Sequence, residues 1–206
     1  MEILAKLFGG SNKVKIMRLF LLNPEVTFSS REVAERSKVS RSTISRELNG
    51  LATIDFLNKK TKGKNKGWQL NSTFPFINHL KGILKNDLVA RKKEIIKQFA
   101  GCGRISLLII SGVFIEDTDS RADLLVVGER LKRRSIERVV RRLEAEIGKE
   151  LAYAILETND FTYRLQSSDK FIRDVLDYPH ERLIDRLSLY PVAAGVYPQG
   201  SQVSGH

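Results

Sequence analysis

The sequence predicts an α+β protein with a helical N-terminal part that ends in a hairpin, a long connecting helix, and a small C-terminal α/β domain. Apolar residues recur at helical spacing in residues 12–51 and again in 77–99. Short apolar runs at 105–110, 122–127 and 151–156 indicate buried strands, and a helix-spaced segment separates the last two. The charge is divided unevenly: residues 1–85 hold 16 Lys/Arg and 6 Asp/Glu, a net charge of +10, whereas residues 86–206 hold 19 and 18, a net charge of +1.

The composition excludes several classes of protein. A chain of 206 residues that is 42% hydrophobic is too apolar to be disordered and long enough for one large or two small domains. Its apolar runs are far shorter than the roughly 18 residues that span a bilayer, and its start lacks the features of a signal peptide. We therefore expect a cytoplasmic protein with no membrane partner.

Metal and disulfide chemistry are also disfavoured. Cys102 is the only cysteine, so the chain can form neither an internal disulfide nor a cysteine-based zinc cluster. His79, His180 and His206 are scattered and have no ligand spacing. We expect no metal site and no cofactor.

Capping signals predict the first helices. Ser11 can cap a helix that ends before Pro24. Ser29 and Glu32 form a capping-box pattern, in which each side chain satisfies the free backbone N–H of the other residue. The second helix is therefore expected to begin at this pair.

A third helix, 40–51, has two different faces, and Ser40 is its expected cap. The apolar residues Ile44, Leu48 and Leu51 follow one another at i, i+4 and i+7 and should face the core. The other face is short, polar and able to form hydrogen bonds, and consists of Ser42, Ser45, Arg46 and Asn49. Such a surface fits the major groove of DNA, because Arg and Asn can pair with guanine and adenine edges while acids would repel phosphate.

A basic hairpin is predicted at 56–70. Phe56 and Leu57 indicate one strand, and Trp68 to Leu70 its return, with Trp68 packed at the base. The segment between them, 58–67, is expected to be a flexible tip with two glycines and five lysines, which are Lys59, Lys60, Lys62, Lys64 and Lys66. These lysines would meet phosphates and add affinity that depends on salt and not on base sequence.

Residues 12–70 resemble the winged helix-turn-helix regulators of the ArsR and MarR type. The matching stretches are 14–20, 30–34 and 39–48. The resemblance implies that 1–72 is a winged helix-turn-helix domain, with the third helix as recognition helix and 56–70 as wing. It further implies a transcriptional regulator that binds specific sites on double-stranded DNA. The expected DNA contacts are Arg41, Ser42, Thr43, Ser45, Arg46, Asn49, Lys59, Lys60, Lys62, Lys64 and Lys66. Metal-sensing members use cysteine or histidine clusters, which this chain lacks.

The segment 73–100 is expected to connect the two domains. Phe74-Pro75-Phe76 interrupts the pattern, and Ile77 to Phe99 then contains no proline and has an apolar stripe at helical spacing. A helix of about 20 residues spans about 30 Å. It can serve as a linker packed on its own domain or as a contact in a homodimer. Two-fold DNA sites favour dimeric readers, and we therefore expect a homodimer.

The C-terminal domain, 101–187, is predicted as strands at 104–110, 122–127 and 151–156, a helix at 131–147, and short helices within 159–187. The long helix is strongly basic on one side, through Lys132, Arg133, Arg134, Arg138, Arg141 and Arg142. This side can contact nucleic acid or can be a solvated face balanced by Glu137, Glu144 and Glu146, and we favour the solvated face. The tail, 188–206, has no Asp, Glu, Lys or Arg, and is expected to be irregular.

Residues 100–187 resemble a minimal nucleotidyltransferase domain. Active members carry Gly-Ser after the first strand and Asp-x-Asp on the second, where the carboxylates hold two metal ions. This chain has Ser111-Gly112 in the reverse order, and Leu125 in place of the second carboxylate of Asp123-Leu124-Leu125. Glu157 at the end of the third strand is the only other acid nearby. The departure implies a retained fold with no catalytic residues, and so not an enzyme.

A pocket for a nucleotide or another small-molecule effector remains possible at Ser111, Gly112 and Asp123. The acidic loop could supply replacement metal ligands through Glu116, Asp117 or Asp119, but a solvated loop is the favoured interpretation. The alternative function is an active nucleotidyltransferase that modifies protein or RNA and uses the winged helix to find its target. A third possibility is a scaffold whose winged helix contacts protein, although the basic hairpin disfavours it.

Overall fold

The computed structural model describes residues 2–62, 65–89, 92–115, 117 and 119–189. It is an α+β structure with one two-stranded and one four-stranded sheet, which confirms the predicted class. Among the described residues, no helix is both long enough and apolar enough to cross a membrane.

The N-terminal part consists of four helices and a hairpin. The helices are α1 (Glu2–Phe8), α2 (Ser11–Leu21), α3 (Ser30–Ser37) and α4 (Arg41–Thr53), and the antiparallel hairpin pairs β1 (Leu57–Lys62) with β2 (Asn65–Leu70). Their apolar faces meet in one core, in which Phe20, Phe28 and Phe56 are buried. The predicted core face of the third helix is confirmed, because Ile44, Leu48 and Leu51 are all buried.

Capping confirms the predicted capping box at Ser29, corrects the cap expected at Ser11, and confirms the cap position of Ser40 without a side-chain bond. Ser29 opens α3 with a complete capping box: its hydroxyl accepts from the backbone N–H of Glu32 at 3.2 Å, and Glu32 accepts from the backbone N–H of Ser29 at 2.7 Å. Ser11 is the first residue of α2 and Gly10 takes the cap position, so the expected Ser11 cap is wrong. Ser40 does precede α4, but its hydroxyl contacts the hydroxyls of Ser42 and Thr43 and caps no backbone N–H.

The hairpin is more regular than predicted. The flexible tip expected over 58–67 is wrong, because the paired strands extend to Lys62 and Asn65. The expected lysines are therefore placed by strand pairing: Lys59, Lys60 and Lys62 lie on β1 and Lys66 on β2.

The connection contains two helices, α5 (Ile77–Val89) and α6 (Lys92–Gln98), and residues 90–91 between them lie outside the described part. Leu84 of α5 is buried in the N-terminal core, whereas Ile95 of α6 is buried in the C-terminal core. The connection is thus packed against both parts of the protein.

The C-terminal part is a four-stranded sheet with helices on both faces. Its strands are β3 (Arg104–Ile110), β4 (Leu124–Glu129), β5 (Tyr153–Glu157) and β6 (Glu181–Asp185), in the order β5-β4-β3-β6. β3 is antiparallel to β4 and β6, while β4 and β5 are parallel. Helix α7 (Arg133–Ile147) packs on one face, and α8 (Thr158–Gln166) and α9 (Lys170–Asp177) pack on the other.

Several predicted boundaries in this part shift. β4 begins at Leu124, so Asp123 precedes the strand, and β5 begins at Tyr153 instead of Leu151. The short helices expected within 159–187 are only partly right, because 181–185 is an edge strand that pairs with β3. The predicted irregular tail, 188–206, lies outside the described residues from Tyr190 onward.

The two parts are joined by a tight junction. Helices α2 and α3 contact α7. Arg18 of α2 is only 1% exposed, and its guanidinium donates to the backbone oxygen of Glu146 at 3.0 Å and to that of Leu84 at 3.1 Å. The carbonyl of Glu146 belongs to the last turn of α7, where a helix carries partial negative charge. The buried cation therefore links α2 to both α5 and α7.

Gly148 brings two backbones into direct contact at this junction. It ends α7 in the left-handed conformation, with φ = 89°. A Cβ atom on Gly148 would lie 2.5 Å from the backbone nitrogen of Leu19, so only glycine fits. Its carbonyl accepts from the side-chain amide of Asn23 at 2.8 Å. The C-terminal end of α7 therefore contacts the backbone of α2 directly, with no side chain between them.

Candidate nucleic-acid interface

The outer face of α4 is exposed and polar. Because Ile44, Leu48 and Leu51 fix one side of the helix in the core, the opposite side must point outward. Its exposed residues are Arg41, Ser42, Ser45, Arg46 and Asn49, and Thr43 is half-buried. The structure therefore brings the six expected residues of this helix onto one accessible surface.

Arg46 is the most prominent hydrogen-bond donor on this surface. Its side chain is 79% exposed and lies 3.4 Å from the carboxylate of Glu47. Glu47 is largely covered and also lies 3.9 Å from the ammonium group of Lys13. The one acid in the middle of α4 is thus shared by two cations, Lys13 and Arg46.

Hydrogen bonds hold the hairpin next to the start of α3. Phe28 and Trp68 exchange two backbone hydrogen bonds, of 2.9 and 2.8 Å, and the indole of Trp68 donates to the hydroxyl of Ser30 at 3.1 Å. The Lys59 ammonium lies 5.3 Å from the centre of the Trp68 ring, a cation–π distance. Trp68 is half-buried at the hairpin base, as its sequence position predicted.

The hairpin lysines form an exposed basic surface. The side chains of Lys59, Lys60 and Lys66 are exposed, and Lys62 lies on β1. Lys64, which was also expected to contact DNA, lies outside the described residues. Pairing of β1 with β2 holds these cations at fixed positions relative to α4, which a flexible tip could not do.

The acids near this surface are engaged in local bonds. Glu35 accepts from the guanidinium of Arg31 at 2.8 Å, and this contact lowers the pKa of Glu35 and raises that of Arg31. The backbone N–H and hydroxyl of Ser29 lower the pKa of Glu32. Both carboxylates therefore remain ionised but already have partners.

Sequence reasoning missed a cluster of charged residues at the turn between α3 and α4. Lys38 adopts a left-handed conformation there, with φ = 54°. It lines a cleft of about 180 Å³, here called the junction cleft, whose other charged residues are Arg36, Arg141 and Lys149 and the acids Glu35, Glu144 and Glu150. Arg36 is paired with Glu150 across the junction at 2.7 Å. Nothing in the sequence indicates this grouping, because its members are brought together only when α7 packs on α3.

The expected pocket residues in the C-terminal part also come together, but they bond to one another. The carboxylate of Asp123 accepts from the backbone N–H of Val113 at 2.8 Å and from that of Ala152 at 2.9 Å. The Ser111 hydroxyl donates to the carbonyl of Ala122. Gly112 has φ = 57°, and a Cβ atom there would collide with the Asp123 carboxylate. This cluster ties the loop after β3 to the start of β4.

The positions around this cluster are poorly suited to a metal ion. Leu125 is fully buried between the sheet and α8, in contact with the apolar core that includes Phe161. Asp117 accepts from the hydroxyl of Ser120 and the backbone N–H of Asp119, so the acidic loop is bonded within itself, and Glu116 lies outside the described residues. Within the part of the chain that the structure describes, no group of three or more His, Cys, Asp or Glu side chains could hold a metal.

Comparison with known proteins yields no relative. No family model, no curated protein and no solved structure matches this chain.

Proposed function

We propose that the protein is a transcriptional regulator that binds specific sites on double-stranded DNA. In this proposal residues 1–72 are a winged helix-turn-helix domain, with α4 in the major groove and β1–β2 as a wing on the phosphates. The observation that carries it is the outer face of α4, which is exposed, polar and contains Arg46 and Asn49. Arg can bond guanine and Asn adenine in that groove.

The charge distribution supports the same proposal. The hairpin lysines and Lys38 lie on either side of this helix in the chain, and the neighbouring acids Glu32, Glu35 and Glu47 are occupied by local partners. Phosphate contacts from lysines would position the domain, while base contacts from α4 would specify the site.

Selection from a pool of random duplexes tests this function directly. We expect the purified protein to bind duplex DNA tightly at low salt and more weakly at high salt. Sequencing of the bound fraction should recover a motif, and an inverted repeat would indicate a dimeric reader. No affinity for duplex DNA at low salt would overturn the proposal.

The substitution Arg46→Ala separates base contacts from phosphate contacts. It should weaken binding to the selected site by about 1–3 kcal/mol more than binding to random duplex. Lys60→Ala is the matched control on the hairpin, because it removes one exposed cation and should weaken both duplexes equally. Equal losses on both duplexes for Arg46→Ala would show that this residue contacts no base.

We further propose a homodimer, as two-fold DNA sites would require. Ile83 on α5 is exposed although the same helix is packed in the N-terminal core, and it is available for such a contact. Sedimentation equilibrium of the free protein and of its complex with the selected duplex would establish the stoichiometry.

The C-terminal part is proposed as a non-catalytic domain, which senses a small effector or supports assembly. Leu125 is buried where a second metal-binding carboxylate would be needed, and both oxygens of Asp123 accept backbone hydrogen bonds. Magnesium-dependent incorporation of labelled nucleotide into protein or RNA by the wild-type protein would instead establish the nucleotidyltransferase function. Because Asp123 holds two loops together, loss of activity in Asp123→Ala is informative only if the variant melts at the wild-type temperature.

A further inference from the structure

Helix α7 presents a row of arginines on the face opposite to its core side. They follow one another at i, i+4, i+7 and i+8, and so share one side of the helix. We call this row the arginine stripe; its members are Arg134, Arg138, Arg141 and Arg142, all exposed. The other side of α7 is buried on the sheet through Ile136, Val140 and Leu143.

Within the part of the chain that the structure describes, the stripe forms no ion pair. Among the residues that the structure describes, no carboxylate lies within ion-pair distance of any of the four guanidinium groups. Arg138 donates only to the hydroxyl of Ser135, at 3.1 Å. Glu144, which was expected to balance these charges, accepts instead from the backbone N–H of Leu151 at 3.0 Å. Like charges at this spacing repel, and an anionic partner would relieve that repulsion.

The stripe points to the same side as the DNA-binding part. The next residues on the same face of α7 are Ala145, which is buried, and Gly148, which contacts α2. Arg141 also lines the junction cleft with Lys38, which lies three residues before the start of α4. The cleft therefore brings Arg141 of the stripe close to Lys38, although the acids Glu35, Glu144 and Glu150 also line it.

We propose that the arginine stripe binds the phosphate backbone of the same duplex that α4 reads, beyond the segment in the major groove. This inference rests on the proposed function. From Arg134 to Arg142 the helix rises by about 12 Å, a length of duplex that carries about seven phosphate charges. A row of guanidinium groups on one helix face can bond phosphate oxygens and gives affinity without base readout. The C-terminal part thereby enlarges the footprint on DNA.

The test compares two double variants that remove the same charge from opposite faces of the sheet. Arg138→Gln/Arg141→Gln alters the stripe, and Lys170→Gln/Arg173→Gln on α9 is the control. Binding is measured at several salt concentrations on a duplex of roughly one helical turn and on one of roughly three turns that share the selected site. On the long duplex the stripe variant should bind several-fold more weakly, with a slope of log K against log salt reduced by roughly 1.8, which is roughly 0.9 per lost contact.

The remaining outcomes are distinguishable. The control should keep the wild-type slope, and an equal loss in both variants would show a general effect of net charge and overturn the inference. A wild-type slope in the stripe variant, together with the loss of site preference in Arg46→Ala, would overturn the inference but leave the proposed function intact. Failure of the wild-type protein to bind either duplex would overturn both. If the stripe variant does not fold, Arg134→Gln/Arg142→Gln serves as the same test.

Discussion

Gly148 lies in the junction between the two parts, at a position that cannot accommodate a side chain. Gly148→Ala would place a methyl group against the backbone of Leu19 in a left-handed conformation. We expect a loss of about 2–4 kcal/mol in the free energy of unfolding, from backbone strain and overpacking together. Chemical denaturation of the purified variant measures it.

Gly82 provides the matched control for this prediction. It is exposed within α5, and a Cβ atom there would meet nothing within 4 Å. Gly82→Ala should therefore stabilise the protein by about 0.5–1 kcal/mol, because alanine is favoured in a helix. A loss of stability in Gly148→Ala no larger than the change in Gly82→Ala would show that the close approach of α7 to α2 is not important.

The roles of some single residues could be predicted from the sequence, and those of others could not. The polar face of α4 was predictable because it depends only on helical spacing around Ile44, Leu48 and Leu51. The roles of Arg18 and Gly148 were not, because the bond from Arg18 to Glu146 joins residues 128 positions apart. Arg18 is the only polar residue in the segment 16–22, which is a weak sign of burial.

The capping box that begins α3 was predicted from the sequence, and its contribution to stability can be measured. Ser29→Ala removes one member of the capping box and should lower the free energy of unfolding by about 1 kcal/mol at neutral pH. Ser45→Ala is the control, since Ser45 is exposed on α4 and caps no helix. Urea denaturation of both variants gives the comparison.

The effect of Ser29→Ala should depend on pH. The pKa of Glu32 is lowered in the folded protein, chiefly by the backbone N–H of Ser29. A carboxylate with a lowered folded pKa stabilises the fold above its unfolded pKa, about 4.3, and this contribution is lost as pH falls through the folded value. Ser29→Ala keeps this N–H but removes the hydroxyl that donates to the Glu32 carboxylate at 2.7 Å, so the stability gap between variant and wild type should narrow as pH falls below about 4. It should not close, because the bond from the Glu32 backbone N–H to the Ser29 hydroxyl is also lost and does not depend on this ionisation. A gap that stays constant in urea titrations from pH 7 to pH 3 would show that the hydroxyl does not stabilise the Glu32 carboxylate.

Elements with strong apolar spacing were predicted well, and elements fixed by pairing were not. The strand over 104–110 and the helix over 133–147 follow from their apolar residues. The strand at Glu181–Asp185 has only two apolar residues and forms because β3 offers it an open edge. Likewise, lysine is depleted in β-strands, and β1 continues through its lysines because it is paired with β2.

At the scale of the whole molecule, the junction should make unfolding cooperative. Trp68 is the only tryptophan and lies in the N-terminal part, so its fluorescence follows that part, while far-UV circular dichroism follows both. We expect the two probes to give coincident denaturation curves for the wild-type protein.

Arg18→Met should separate the two curves, because it removes the hydrogen bonds from α2 to Leu84 and Glu146 and leaves the apolar volume. Hydrogen bonds from a charged group contribute about 1.5–3 kcal/mol. Arg104→Met is the control, since Arg104 is 76% exposed and lies far from the junction on β3. Coincident curves for Arg18→Met at the wild-type midpoint would show that Arg18 does not couple the parts.

The direct contact of α7 with α2 affects whether the N-terminal part can be separated from the rest of the protein. Leu22, which follows α2, packs against the C-terminal core, and Arg18 donates to the Glu146 carbonyl of α7. A fragment ending near residue 89 would expose that leucine and leave the guanidinium without the Glu146 carbonyl. The N-terminal part is therefore not an independent module. Grafted onto another protein it would need a new surface to cover α2, and proteolytic separation from the C-terminal part would lower its stability.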